Sequence, residues 1–104
     1  MLHEMRLDEG PFERIKRGEK KIEFRVNDEK RRLVKVGDEI VFSKRPELKE
    51  KIHVKVTALE HFDSFDALLK KYPEQKGIEK RYTPEEEKRG GVVAFHIQLL
   101  GTTK

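Results

Sequence analysis

Apolar positions along the chain recur at two distinct spacings. Some stretches alternate every second residue, as a half-buried strand does, and others repeat every three or four, as a helix does. Met5 and Leu7 flank Arg6, a short strand. Gly10-Pro11 opens a helical stretch, with proline near the first helical position and Phe12 and Ile15 on one face. Gly18 stops that helix. Next, Ile22, Phe24 and Val26 alternate with Lys21, Glu23 and Arg25, which predicts a strand with one face on a core and the other charged. Asn27 to Arg32 reads as a polar loop, and Leu33, Val34 and Val36 lead to a turn at Gly37-Asp38. A strand over Glu39–Ser43 follows, then a charged loop from Arg45-Pro46. Ile52, Val54 and Val56 alternate with His53, Lys55 and Thr57 in a strand that can run to Leu59. Asp63 or Ser64 caps a helix carrying Phe65, Leu68, Leu69 and Tyr72, which Pro73 ends. Residues 74–82 read as loop. Thr83-Pro84-Glu85-Glu86 is a capping box, and Gly90-Gly91 closes its helix. Val92 to Leu100 is a last strand with Val93, Phe95, Ile97 and Leu99 on one face.

About five short strands and three short helices fit an α+β class better than a doubly wound sheet, because no strand–helix–strand unit is long enough. The architecture expected is a small, closed or half-closed, mainly antiparallel barrel with helices over its mouths. One domain over residues 1–100, with 101–104 as a tail, follows from the pattern. The expected core is Leu7, Phe12, Ile15, Ile22, Phe24, Val41, Ile52, Val54, Val56, Phe65, Leu68, Phe95 and Ile97.

Composition sharpens this. The 104 residues are 42% charged and 35% hydrophobic, a balance that would suit disorder were the apolar residues not so regularly spaced. Cysteine is absent, which excludes disulfide scaffolds, thiolate metal sites and cysteine nucleophiles. No apolar run approaches the roughly 20 residues of a membrane helix, and MLHEMRLDEG lacks the apolar stretch of a secretory signal. A cytoplasmic, monomeric protein is expected. The net charge is only +4, but Glu13–Lys35 holds ten basic and five acidic residues. The excess therefore sits in less than a quarter of the chain, which points to an anionic partner.

Standard catalytic and phosphate-binding constellations are missing. There is no G-x-x-x-x-G-K-[ST] loop and no G-x-G-x-x-G. His3, His53, His61 and His96 are scattered without metal-ligand spacing, and Ser43 and Ser64 are the only serines. No metal or cofactor is expected. The informative stretch is Gly18-Glu19-Lys20-Lys21-Ile22-Glu23-Phe24-Arg25. Glu23 there can hold Lys20, Lys21 or Arg25 in a fixed pose with donors left for a phosphate or base edge. The plainer alternative is an exposed strand with ion pairs of about 0–1 kcal/mol each.

That stretch resembles the G-x-K-x-x-E-x-R signature of ASCH domains. Other pieces, in the same order, resemble the family too. They are His3-x-Met5-x-Leu7 with Pro11-Phe12-x-x-Ile15, the loop Asp28–Arg31, Gly37-Asp38-Glu39-Ile40-Val41-Phe42, Ser64-Phe65 with Leu68-Leu69, and Tyr82–Glu87 with Gly91–Phe95. The resemblance implies a PUA-like barrel, a cleft between barrel and helices, and binding of RNA or a nucleotide-like ligand. It implies that Lys20, Glu23 and Arg25 line the cleft with Lys21 beside them, and that Tyr82 stacks on or bonds to a base. The basic loop Lys30, Arg31 and Arg32 would contact backbone phosphates.

The resemblance also carries a hydrolase alternative, with Lys20 central and Glu23 and Tyr82 as further catalytic candidates. One branch resembles an amidohydrolase of acylated nucleosides that uses a lysine, a threonine and a glutamate. Lys20 fits the lysine, but Glu23 occupies the threonine place, and Lys76 competes with Glu74 for the glutamate. Another relative resembles a ribonuclease. A third expectation is a protein-interaction domain using the acidic helix Thr83–Lys88 and the loop Lys44–Lys51.

Overall fold

A computed structural model describes residues 1–103, and Lys104 lies outside the described residues. Five strands form one sheet: β1 (Leu2–Leu7), β2 (Ile22–Val26), β3 (Glu39–Lys44), β4 (Lys51–Phe62) and β5 (Val92–Thr103). Four helices join them: α1 (Glu9–Lys16), α2 (Glu29–Arg32), α3 (Phe65–Lys71) and α4 (Pro84–Gly90). The strand order is β1-β3-β4-β5-β2, with β1–β3 parallel and every other pair antiparallel. The class is α+β, as the periodicities require.

Two outer strands remain, β1 and β2, and among the described residues no ladder joins them. The Arg25 guanidinium of β2 nevertheless donates to the Arg6 carbonyl of β1 at 2.8 Å. The sheet therefore curls until its edges are within one side chain of each other, leaving a seam where a closed barrel would have a ladder. Twist of each strand against its neighbour supplies that curl.

Apolar side chains pack on both sides of the sheet. The larger core gathers Met5, Leu7, Phe12, Ile15, Ile40, Phe42, Ile52, Val54, Val56, Val93, Phe95 and Ile97. The smaller one gathers Phe24, Val26, Phe65, Leu68, Val92 and Ala94 under α3. β5 feeds both, because its alternate residues point to opposite faces, which explains its nearly unbroken apolar run. All thirteen expected core residues except the half-buried Ile22 are buried.

Four expectations are corrected. Asn27–Arg32 is not all loop: Asp28 accepts a bond from the Arg31 amide at 3.0 Å and nucleates α2, as an Asp N-cap does. Residues 74–82 hold two 3-10 turns, Pro73–Gln75 and Ile78–Arg81. The last strand ends at Thr103 rather than Leu100, since Gly101–Thr103 pair with Lys51–His53. The register slips at that point, between His53 and Val54, and Leu99 is left partly exposed. Such a slip is how a β-bulge turns side chains out of phase.

The fourth correction matters most. β2 does present an apolar and a charged face, but the charged face is not the solvent side. Glu23 pairs with Phe95 and Arg25 with Val93, and paired residues share a face. Glu23 and Arg25 thus lie on the side of the larger core, at the seam. Phe24 and Val26 instead meet α3.

Candidate functional site

The site is built where α1 hands over to β2. Gly18 has φ +78°, a conformation glycine adopts without strain. Its amide donates to Ile15 O at 3.0 Å, and that of Glu19 donates to Arg14 O at 2.9 Å. These two bonds are a Schellman ending. The chain reverses in three residues and delivers Lys20 to the start of β2.

Glu23 then sits between two cations. Its Oε1 is 3.2 Å from Lys20 Nζ, and its Oε2 is 2.9 Å from the Arg25 guanidinium. Glu23 is only 5% exposed. Arg25 spends a further donor on the Arg6 carbonyl. Lys20 Nζ also lies 5.9 Å from the centre of the Phe24 ring, within cation–π range. Both carboxylate oxygens are occupied, so Glu23 acts as a strut that fixes two cations rather than as a free base.

These residues line one wall of a cleft of about 830 Å³. The end of β1, the start of α1, Arg45, the Glu74–Ile78 segment, Arg81 and Tyr82 complete it. Its lining carries Arg6, Arg14, Lys20, Arg25, Arg45, Lys76 and Arg81 against Asp8, Glu23 and Glu74. Among the described residues, Arg6, Arg14, Lys76 and Arg81 have no carboxylate within ion-pair distance. The cleft is therefore cationic beyond what its own acids neutralise.

Tyr82 shares the cleft with Lys20 and Arg25. Its ring stacks on Phe65, with centroids 5.5 Å apart and planes 22° from parallel. Burial pushes its hydroxyl above the usual tyrosine value, and the charge of Glu23 adds to this while Arg25 opposes it. The group is a phenol at neutral pH and can donate a hydrogen bond.

The remaining sequence candidates divide. Lys21 is exposed and lines a smaller neighbouring hollow with Lys20, Ile22 and Tyr72. Lys30 and Arg31 line a cavity on the other side of Arg25. Arg32 belongs to neither: it donates to Asn27 O at 3.0 Å and Arg89 O at 2.8 Å, lacing α2 to the end of α4. The sequence reading missed Arg6, Arg14, Arg45 and Arg81, and named Lys76 only as a rival of Glu74 for one place in the hydrolase alternative; both line the cleft. Arg6 carried a usable signal, being the polar residue between two inward-facing neighbours on β1. His3, His53 and His96 each bond a neighbour, namely Asp38, Thr103 and Glu60.

Solved structures with a similar fold include hypothetical protein PH0355, at 40% identity and TM-score 0.77, covering 96% of this chain and 100% of that one. Protein PF0455 from Pyrococcus furiosus is 37% identical with TM-score 0.69, over 96% of this chain and 98% of that one. A variant of the ZmASCH protein from Zymomonas mobilis shares the fold at 18% identity and TM-score 0.64, over 91% of this chain and 66% of that one. No protein of curated function matches the chain. The ASCH domain model matches residues 5–101, nearly the whole length over which strands, seam and cleft are built, and the chain belongs to the ASCH domain family.

Proposed function

We propose that the protein binds RNA, taking one nucleotide of the strand into the cleft walled by Lys20, Glu23 and Arg25. ASCH domains are generally thought to bind RNA, and the cationic cleft supports that reading for this chain. The observation that carries the reading is the buried Glu23 strut. A carboxylate removed from solvent beside two cations lowers the net charge of an anion site, so its presence is explained by positioning rather than by attraction. It holds the Lys20 ammonium and the Arg25 fork in fixed places, with free N–H groups for a phosphate or a base edge. Tyr82, stacked on Phe65, offers a rigid aromatic edge and a phenol donor to a base. Arg14, Lys76 and Arg81, which have no carboxylate partner among the described residues, supply the surrounding positive potential.

Fluorescence anisotropy with a labelled single-stranded RNA dodecamer tests this. Lys20→Ala weakens binding about tenfold or more, as loss of a charge-assisted contact of roughly 1.5–3 kcal/mol requires, while a thermal melt, lowered by the loss of the Glu23–Lys20 pair, shows the variant still folded at the assay temperature. Binding also weakens as salt rises, because phosphate contacts release counterions. RNA affinity that is unchanged by Lys20→Ala, or indifferent to salt, overturns the reading. Cleavage of the RNA that disappears with Lys20→Ala would move the assignment to a nuclease.

A further inference from the structure

Arg25 has a second cavity behind it. This space, about 430 Å³, adjoins the first cleft and is lined by Arg6, Arg25, Lys30, Arg31, Arg45 and Lys51, with Glu4 as its one carboxylate among the described residues. Arg6, Arg25 and Arg45 line the first cleft as well. The two cavities are therefore neighbours across a partition of three arginines.

As in the cleft, the charge here is only partly compensated. Arg25 is paired with Glu23, Arg31 with Asp28 at 3.1 Å, and Arg45 with Asp8 at 3.2 Å in an exposed pair. Arg6, Lys30 and Lys51 have no carboxylate partner among the described residues. Among the described residues the Lys51 ammonium donates to the Ser43 hydroxyl, at 3.2 Å. Arg31 Nε is buried and has no hydrogen-bond partner among the described residues, and a buried donor without a partner is uncommon in a finished structure.

We propose that this cavity is a second site, for the phosphodiester backbone of a single RNA strand whose neighbouring nucleotide occupies the first cleft. The inference rests on the cleft reading above. An isolated anion can satisfy one cavity at a time. A strand with regularly spaced phosphates satisfies both, passing over Arg6, Arg25 and Arg45. The seam that interrupts the barrel thus becomes the track of the strand. The Arg31–Asp28 pair fixes the far wall, and Lys30 and Lys51 act as mobile point charges on the phosphates.

The test compares uridine monophosphate with a uridine dodecamer on the full chain, over 50–300 mM KCl. The proteins are wild type, Lys20→Ala and the double variant Lys30→Ala/Lys51→Ala. The double variant is expected to lower the ratio of dodecamer to monophosphate affinity about twentyfold at 0.1 M salt. Its salt slope is expected to fall by about 1.4, roughly 0.7 for each lost phosphate contact on a single strand. Lys30→Glu alone, at an exposed position, lowers the same ratio and guards against a folding defect, which a thermal melt would reveal. An equal loss for both ligands, or no change in ratio and slope, overturns the second site and leaves the cleft reading standing. A glutamate dodecapeptide that binds as tightly as the RNA also overturns it, by showing a surface for any polyanion. Failure of wild type to bind either uridine ligand, or indifference of the monophosphate to Lys20→Ala, overturns the cleft reading and the second site with it.

Discussion

Glu23→Gln separates a positioning carboxylate from an ordinary surface ion pair. The glutamine is nearly isosteric, but it replaces two acceptor oxygens by one oxygen and one NH2. One cation keeps a neutral acceptor, and the other faces a donor. Exposed ion pairs are worth about 0–1 kcal/mol, whereas breaking a deeply buried pair costs about 3–5 kcal/mol. Glu23 is 5% exposed, but the side chains of Lys20 and Arg25 keep 16% and 13% of their surface accessible. An intermediate loss of about 2 kcal/mol is expected, in line with a charge-assisted hydrogen bond. For a domain of this size that lowers the melting temperature by roughly 8–16 °C. Circular dichroism melts at 0.05 and 0.5 M KCl measure it. A loss under about 0.5 kcal/mol, or one that disappears at the higher salt, refutes the reasoning, because exposed pairs are screened and buried ones much less so. RNA affinity gives an independent check. The substitution raises the cleft's charge by one, so binding by attraction alone would strengthen. Weaker binding is expected, because Lys20 loses its fixed position.

Two further predictions concern the frame around the site. Gly18→Ala should cost about 1–2 kcal/mol, the price of an alanine in the left-handed region, since a Cβ at Gly18 meets nothing within 4 Å. With both variants measured by urea titration, Gly91→Ala should cost about 3 kcal/mol or more, because its Cβ would run into the Phe62 carbonyl oxygen and its φ is also positive. Equal losses would show that only the backbone conformation matters. Glu60 sets part of the acid limit. Hydrogen bonds from Lys71, then Tyr72 and His96, lower its pKa from 4.5 to about 2. The unfolded chain therefore binds the proton first as pH falls, so this stabilisation is complete above about pH 4.5 and is lost as pH falls toward 2. Glu60→Gln should flatten the stability profile across that window. A profile parallel to wild type would remove Glu60 from the account.

How much was legible in the sequence depended on whether local pattern or long-range pairing decided the matter. Ser64 accepts a bond from the Ala67 amide at 3.1 Å, and Thr83 with Glu86 forms the full capping box. Both are encoded within four residues and could be read directly. The burial of nearly all the expected core followed from period-two and period-four spacing. The inner side of β2 could not be read this way. Alternation separates Phe24 and Val26 from Glu23 and Arg25, but it does not say which set faces the larger core. That depends on pairing with β5, some seventy residues away. The same limit hid Arg45 and Arg81, which reach the cleft from a loop and a 3-10 turn, and it made Arg32 look equivalent to Lys30 and Arg31. Only the tertiary structure shows that Arg32 closes over Gly90, where a Cβ would meet its guanidinium at 2.3 Å.

The placement of charge at the seam has a physical rationale. A curled sheet that stops short of closure leaves two free edges, each a row of backbone groups open to another strand. The least costly remedy would be an apolar seam under a helix, because buried ion pairs are often less stabilising than well-packed hydrocarbon. This chain does the opposite. It bridges the gap with Arg25, anchors that arginine to Glu23 on one side and the Arg6 carbonyl on the other, and surrounds both with further cations. A departure of this kind from the otherwise consistent pattern of inward apolar residues is expected where function, not stability, fixes the residue type. The edge that the fold leaves unpaired is thereby protected from another β-strand and left with donors suited to a phosphate.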